Sequence, residues 1–236
     1  NMYIYEIYRN NKNHFFLDYL FPVKLNKPIS IFIGENGVGK STIMEAIAIY
    51  LGCPAEGGSK NFNFSTENTH IQIPNMMIKK GTKFPKDIFF YRSETFYTFM
   101  SEMKKLDAPE FGGGKINSYY GGIELHKLSH GESMNALYMN RFNKNGLYIL
   151  DEPESSLSLN NQLKFIERIV TLSRNGAQFI IATHSPIIMQ TPESELLEVT
   201  KNGVKTVNFQ ETNIYYMYRE IMQDNSHTYL SSILNL

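Results

Sequence analysis

The apolar run Ile29-Ser30-Ile31-Phe32-Ile33 leads directly into Gly34-Glu35-Asn36-Gly37-Val38-Gly39-Lys40-Ser41-Thr42, and Ile43, Ile47, Tyr50 and Leu51 follow at helical spacing. This is strand, glycine-rich loop, helix. The loop fits the pattern G-x-x-x-x-G-K-[ST], whose glycines let successive backbone N–H groups turn inward onto a β-phosphate. The lysine, Lys40, reaches the β- and γ-phosphates, and the Ser41 hydroxyl is suited to Mg²⁺. Residues Gly34 to Thr42 are therefore expected to bind a nucleoside triphosphate. A phosphate loop also constrains the fold, because a strand feeding such a loop belongs to a parallel sheet with ligands at the carboxyl ends of its strands.

The rest of the chain agrees with that constraint. Met2 to Tyr8 alternates as an N-terminal strand does, and Gly52 followed by Pro54 stops the helix after the loop. From Glu56 the sequence turns polar and punctuated, with Gly57-Gly58, Pro74, Gly81, Pro85, Pro109 and Gly112-Gly113-Gly114, broken by a strand candidate at 88–91 and a helix candidate at about 95–105. Residues 56–142 read as an inserted lobe. Helices over 131–142 and 159–173 then alternate with strands over 147–150 and 178–182, a pattern of parallel strands covered on both faces. Residues 196–199 and 204–209 flank Asn202-Gly203 as a hairpin, and C-terminal helices start near Thr212 and Thr228. The expected fold class is α/β, with a mostly parallel core sheet flanked by helices, an antiparallel N-terminal portion and an inserted helical lobe. Residues 1–236 are read as one unit: core from 1–55 and 143–210, lobe from 56–142, C-terminal helices from 211–236.

Two further segments bring chemistry to the carboxyl edge of that sheet. Leu147-Tyr148-Ile149-Leu150-Asp151-Glu152 is a buried strand that ends in two carboxylates. Asp151 is placed to hold Mg²⁺ and Glu152 to polarise the water that attacks a γ-phosphate, strand alternation separating their directions. Thr183-His184-Ser185-Pro186 ends the next strand, so His184 emerges at the same edge, able to donate to the γ-phosphate or the water. A third segment, Leu128-Ser129-His130-Gly131-Glu132-Ser133, opens a helix whose N-terminus suits an anion, while Ser129 with Glu132 also reads as a capping box.

Composition narrows the partners. Lys+Arg and Asp+Glu are both 23, so no global charge draws the chain to nucleic acid or a membrane surface. The basic residues Lys79, Lys80, Lys83 and Lys86 read as a solvated face. Cys53, the one cysteine, excludes an internal disulfide. No apolar stretch approaches the roughly 20 residues that cross a bilayer, and a cytoplasmic location is expected.

The order of these motifs resembles that of the ABC-type ATPases, the superfamily that holds transporter nucleotide-binding subunits and the SMC-like and RecF-like repair ATPases. Small stand-alone ATPases of that superfamily are similar almost end to end in Gly-Glu-Asn-Gly-x-Gly-Lys-Ser-Thr, Ser-His-Gly-Glu-Ser, Leu-Asp-Glu-Pro-Glu and Ala-Thr-His-Ser-Pro. The resemblance implies Mg²⁺-dependent hydrolysis of ATP, with Glu152, His184 and Lys40 catalytic. It also implies an ATP-dependent homodimer in which Ser129, His130, Gly131 and Glu132 of one copy complete the site of the other. Binding then closes the dimer and hydrolysis reopens it.

Three departures stand out. Arg92-Ser93-Glu94 occupies the place of a customary glutamine, with Glu94 as the substitute metal ligand beside Ser41 and Asp151. Ser158 stands where an aspartate is frequent, and His130 where a glycine is. The adenine-stacking side chain is left open among Phe15, Phe16, Tyr19 and Phe21. The leading expectation is an ATPase coupled to DNA or to an effector protein in repair, maintenance or defence. The alternatives are the nucleotide-binding subunit of a transporter, or an ATP-gated clamp with little turnover.

Overall fold

The computed structural model describes residues 2–10, 13–59, 73–96, 130–224 and 228–234. Two sheets share the molecule. Strand β1 (Ile4–Arg9) lies between β2 (Val23–Lys24) and β5 (Met76–Lys80) in a small antiparallel sheet. The main sheet contains β3 (Ile29–Ile33), β4 (Gly58–Ser59), β6 (Asp87–Arg92), β7 (Gly146–Asp151), β8 (Gln178–Ala182), β9 (Glu195–Thr200) and β10 (Gly203–Val207). Its order is β10-β9-β3-β8-β7-β6-β4, parallel from β9 to β6 and antiparallel at both margins. The β9–β10 margin is antiparallel because the tight turn through Asn202-Gly203 can only reverse the chain.

The parallel strands are apolar on both faces, and their alternation divides the core in two. Ile29, Ile31, Tyr148, Leu150, Phe179 and Ile181 face one layer, while Phe32, Leu147, Ile149, Ile180 and Ala182 face the other. Helix α1 (Lys40–Tyr50) covers the second layer with Ile43, Met44 and Ile47, and the antiparallel sheet adds Ile4 and Ile7. A second helix, α2 (His130–Ala136), passes into a wider turn over Leu137–Arg141. The first layer is closed by it and by α3 (Leu159–Arg174), which contributes Phe165 and Ile169. Each such side chain removed from water stabilises the fold by roughly 1.5–3 kcal/mol before entropy is counted. Helices α4 (Asn213–Gln223) and α5 (Thr228–Leu234) follow the hairpin with no fully buried residue.

Gln178 joins the two sheets. Its Oε1 accepts from the Tyr3 and Ile4 amides at 2.8 and 3.0 Å, and its Nε2 donates to the Ile4 carbonyl at 2.8 Å. At the opposite margin Glu195 accepts from the amides of Asn26 and Lys27 and from the Ser30 hydroxyl, fixing the entry to β3.

The limits drawn for the inserted lobe do not follow the sheets. Strand β5 pairs with β1, and β6 pairs along its whole length with β7, so residues 76–80 and 87–92 belong to the two sheets. Their hydrogen bonds are to strands far away in sequence, and local polarity carried no sign of that. The helix expected over 95–105 falls, from residue 97 onward, outside the described residues.

Candidate active site at the carboxyl edge of the sheet

Strand register gathers the site. Asp151 sits opposite Ala182, which sits opposite Phe32, so the ends of β7, β8 and β3 are level. The phosphate loop, the acidic pair and the His184 turn therefore leave the sheet side by side.

The loop is a tight wrap around its own lysine. Gly34 and Gly39 hold φ of +147° and +101°, and a Cβ on Gly34 would strike the Val199 carbonyl oxygen. Lys40 Nζ donates to the Gly34 and Glu35 carbonyls, each at 2.8 Å, with the residue only 5% exposed. Burial lowers the pKa of this ammonium, while the neighbouring charges of Glu152, Asp151 and Glu154 oppose the shift. Behind the loop Tyr19 donates to the Val38 carbonyl at 3.0 Å, and Leu20 packs under Gly39.

Ser41 Oγ lies 3.1 Å from Asp151 Oδ1. Burial pushes the Asp151 carboxyl up to about 6, with Glu152 reinforcing the shift and the Ser41 hydrogen bond and the Arg92 charge opposing it. A hydroxyl and a buried carboxylate at that separation fit a hard cation such as Mg²⁺, which takes few protein ligands and fills its octahedron with water and phosphate oxygens. Among the described residues there is no group of three or more His, Cys, Asp or Glu that could hold a metal by themselves.

Glu152 lies beyond the end of β7 in the left-handed region at φ 52°, its amide bonded to the Ala182 carbonyl at 2.9 Å. That turn, and not the strand alternation expected, separates it from Asp151. Its Oε1 comes within 3.6 Å of His184 Nε2, and both side chains are partly open to solvent. A carboxylate and an imidazole so placed can share one water between them.

Glu154 was not anticipated. Its Oε1 accepts from the backbone amides of His184 and Ser185 at 2.6 and 3.2 Å, tying the turn after β7 to the turn after β8. Ser185 Oγ in turn donates to Gln162 Oε1 at 2.6 Å. The signal was present in Asp-Glu-Pro-Glu, where the last carboxylate lies two residues beyond the one given a role. Ser158 caps α3 by accepting from the Asn161 amide at 3.4 Å, a task serine performs as well as aspartate.

Glu94 does not join Ser41 and Asp151. Its side chain is 76% exposed and lies 3.3 Å from Arg92 Nη2, while Arg92 Nη1 bonds Glu45 at 2.9 Å. The expected metal ligand Glu94 is thus found paired with Arg92 through a charge-assisted contact. Ser129 lies outside the described residues. Gly131 approaches its own chain so closely that a Cβ there would come within 2.7 Å of the Ser156 carbonyl oxygen, and Glu132 is exposed. The start of α2 thus rests on the turn that carries Glu154.

Comparison with known proteins agrees with this geometry. Residues 116–190 match the family described as "AAA domain, putative AbiEii toxin, Type IV TA system". The chain is 25% identical over 181 residues to the cytochrome c biogenesis ATP-binding export protein CcmA of Rhodopseudomonas palustris, covering 70% of this chain and 82% of that protein. Its fold overlays an ATP-binding cassette of an ABC transporter with TM-score 0.57 and 13% identity, over 92% of this chain and 99% of the other. The chain has the fold of the ABC-type P-loop ATPases. CbiO1 of Clostridium perfringens, described as part of an ABC transporter complex, matches over the full length of both chains with TM-score 0.50 and 16% identity. In this ATPase no helix among the described residues is long and apolar enough to cross a membrane.

Proposed function

We propose that this ATPase is the nucleotide-binding subunit of a transport machine, working at the cytoplasmic face with a membrane-embedded partner and pairing with a second copy around ATP. The observation that carries the reading is one level edge holding Lys40, Asp151, Glu152 and His184, in a chain that shares most of its length with an ATP-binding export protein.

Each residue has a role consistent with its surroundings. Residues Gly34 to Thr42 wrap the phosphates, and Lys40 exchanges its two carbonyl partners for phosphate oxygens when a triphosphate enters. Ser41 and Asp151 would hold Mg²⁺, which supplies charge neutralisation at the phosphates. Glu152 accepts the proton of the attacking water, and His184 holds that water or the γ-phosphate by hydrogen bonding. Ser129, His130, Gly131 and Glu132 of a second copy would complete the site, so that closure depends on bound ATP and hydrolysis releases it.

The repair and maintenance reading draws no support from the relatives found. The match over 116–190 favours one second reading, an effector-protein partner in a toxin–antitoxin setting. The test is ATP hydrolysis by the full chain alone, with duplex DNA, and with detergent-solubilised membranes of its source cells. Stimulation by membranes that Glu152→Gln abolishes supports transport. Stimulation by DNA alone would return the DNA reading, and hydrolysis indifferent to every addition would favour the effector.

A further inference from the structure

Helix α1 has two functional-looking ends. Lys40 begins it at the phosphate loop and Tyr50 ends it about 15 Å away at 1.5 Å per residue, next to a cavity of about 400 Å³ at the entering end of β6 and β7. Lys80, Lys83 and Lys86 line that cavity together with Tyr50, Phe84 and Ser59. These are three of the four lysines that the sequence alone assigned to a solvated face; the fourth, Lys79, lies outside this cavity.

Three features argue against mere solvation. The lining is concave, whereas a solvated lysine face is convex or flat, and its volume falls in the range of small-ligand sites. The ammonium groups have no carboxylate partner among the described residues: Lys80 Nζ sits 5.3 Å from the centre of the Tyr50 ring, and neither Lys83 nor Lys86 makes an ion pair there. Asp87, the carboxylate in the wall, is already bonded to Arg141 at 2.7 Å. Finally, Phe84 stands at the cavity 80% exposed, a large apolar ring left in water beside three cations. Like charges on one cavity lining repel one another, and an anion bound among them reverses that cost.

We propose that this cavity is a second binding site, for a small phosphate ester of nucleotide size, with its phosphates among Lys80, Lys83 and Lys86 and its flat ring against Phe84. Charge-assisted contacts supply the affinity and the ring contact supplies the preference for a base over bare phosphate. The site is separate from the phosphate loop and does not depend on the transport reading.

Calorimetric titration of the full chain carrying Lys40→Ala, with ADP, GDP, UDP and inorganic tripolyphosphate, tests it, because that substitution weakens the phosphate-loop site. The expected result is one saturable site that Lys83→Ala/Lys86→Ala weakens at least about tenfold, the scale of losing charged hydrogen bonds. Phe84→Ala should weaken the nucleotides and leave tripolyphosphate unchanged. The same lysine substitutions in the otherwise unaltered chain should keep ATP hydrolysis, which shows that the fold is intact. Absence of saturable binding by any of the four probes, or binding indifferent to Lys83 and Lys86, overturns the proposal. A twelve-residue single-stranded DNA that binds far more tightly than the mononucleotides, with the same lysine dependence, would replace the small ligand by nucleic acid.

Discussion

Glu154 Oε1 accepts the backbone amide of His184 at 2.6 Å and so holds the histidine turn against the turn that carries Glu152. The two residues leave different strands, and this link adds a second tie beyond the Glu152 amide's bond to the Ala182 carbonyl, fixing the turn in which His184 approaches Glu152 to 3.6 Å. Glu154→Ala should lower kcat by about a hundredfold with a small change in KM, since displacement of an aligned group by an ångström costs that much. Glu154→Gln keeps a carbonyl oxygen to accept both amides and should restore most of the rate. Steady-state kinetics of the two variants check this, and an inert Glu154→Ala would remove the positioning role.

Glu152→Gln separates binding from turnover. The amide cannot take a proton from water, so hydrolysis should fall by about 10²–10⁴ while ATP affinity survives. With ATP present, sedimentation should show this variant as a dimer and the unaltered protein as a monomer–dimer mixture. Full activity in the variant would reassign the base.

The raised Asp151 carboxyl makes the stability of the ligand-free protein depend on pH. Its folded pKa of about 6 exceeds the ordinary value of 3.8, so the folded chain binds more protons between those values. The contribution of this group is therefore most favourable below about pH 4 and is lost as pH rises through 6, on the order of 3 kcal/mol at most. Asp151→Asn should flatten that part of the curve and stabilise the ligand-free protein at neutral pH. Urea denaturation at pH 5 and pH 7.5 on both proteins measures it.

Gln178→Ala removes the partner of two buried amides, those of Tyr3 and Ile4. Unsatisfied amides of this kind cost about 1–3 kcal/mol each, so the midpoint of thermal unfolding should fall by several degrees. Unchanged melting would mean that water reaches the Tyr3 and Ile4 amides once the side chain is gone.

Of the four aromatic candidates for the adenine, three are engaged or half-buried and Phe16 is 64% exposed, with Phe15 packed beneath Arg9 and Tyr19 bonded to Val38. Phe16→Ala should raise the KM for ATP severalfold, by the loss of roughly 1 kcal/mol of stacking, and leave kcat unaltered. An unchanged KM would transfer the role to another residue.

The sequence by itself determined the strand–loop–helix at the phosphate site, the buried parallel strands, the acidic pair and the histidine at one sheet edge. Those features are local: a glycine pattern, a period of two and a period of 3.6 are written in consecutive residues. Which strands became neighbours was decided only in three dimensions, and so were the pairing of β5 and β6 outside any lobe, the capture of Glu94 by Arg92 and the bridge from Glu154 to His184. Each of these depends on a partner tens of residues away or on a backbone turn such as that at Glu152, where hydrogen bonding to Ala182 overrides the alternation that a strand would impose. The lysine group showed the same division most plainly, because charge can be counted along a chain but concavity exists only once the chain has folded.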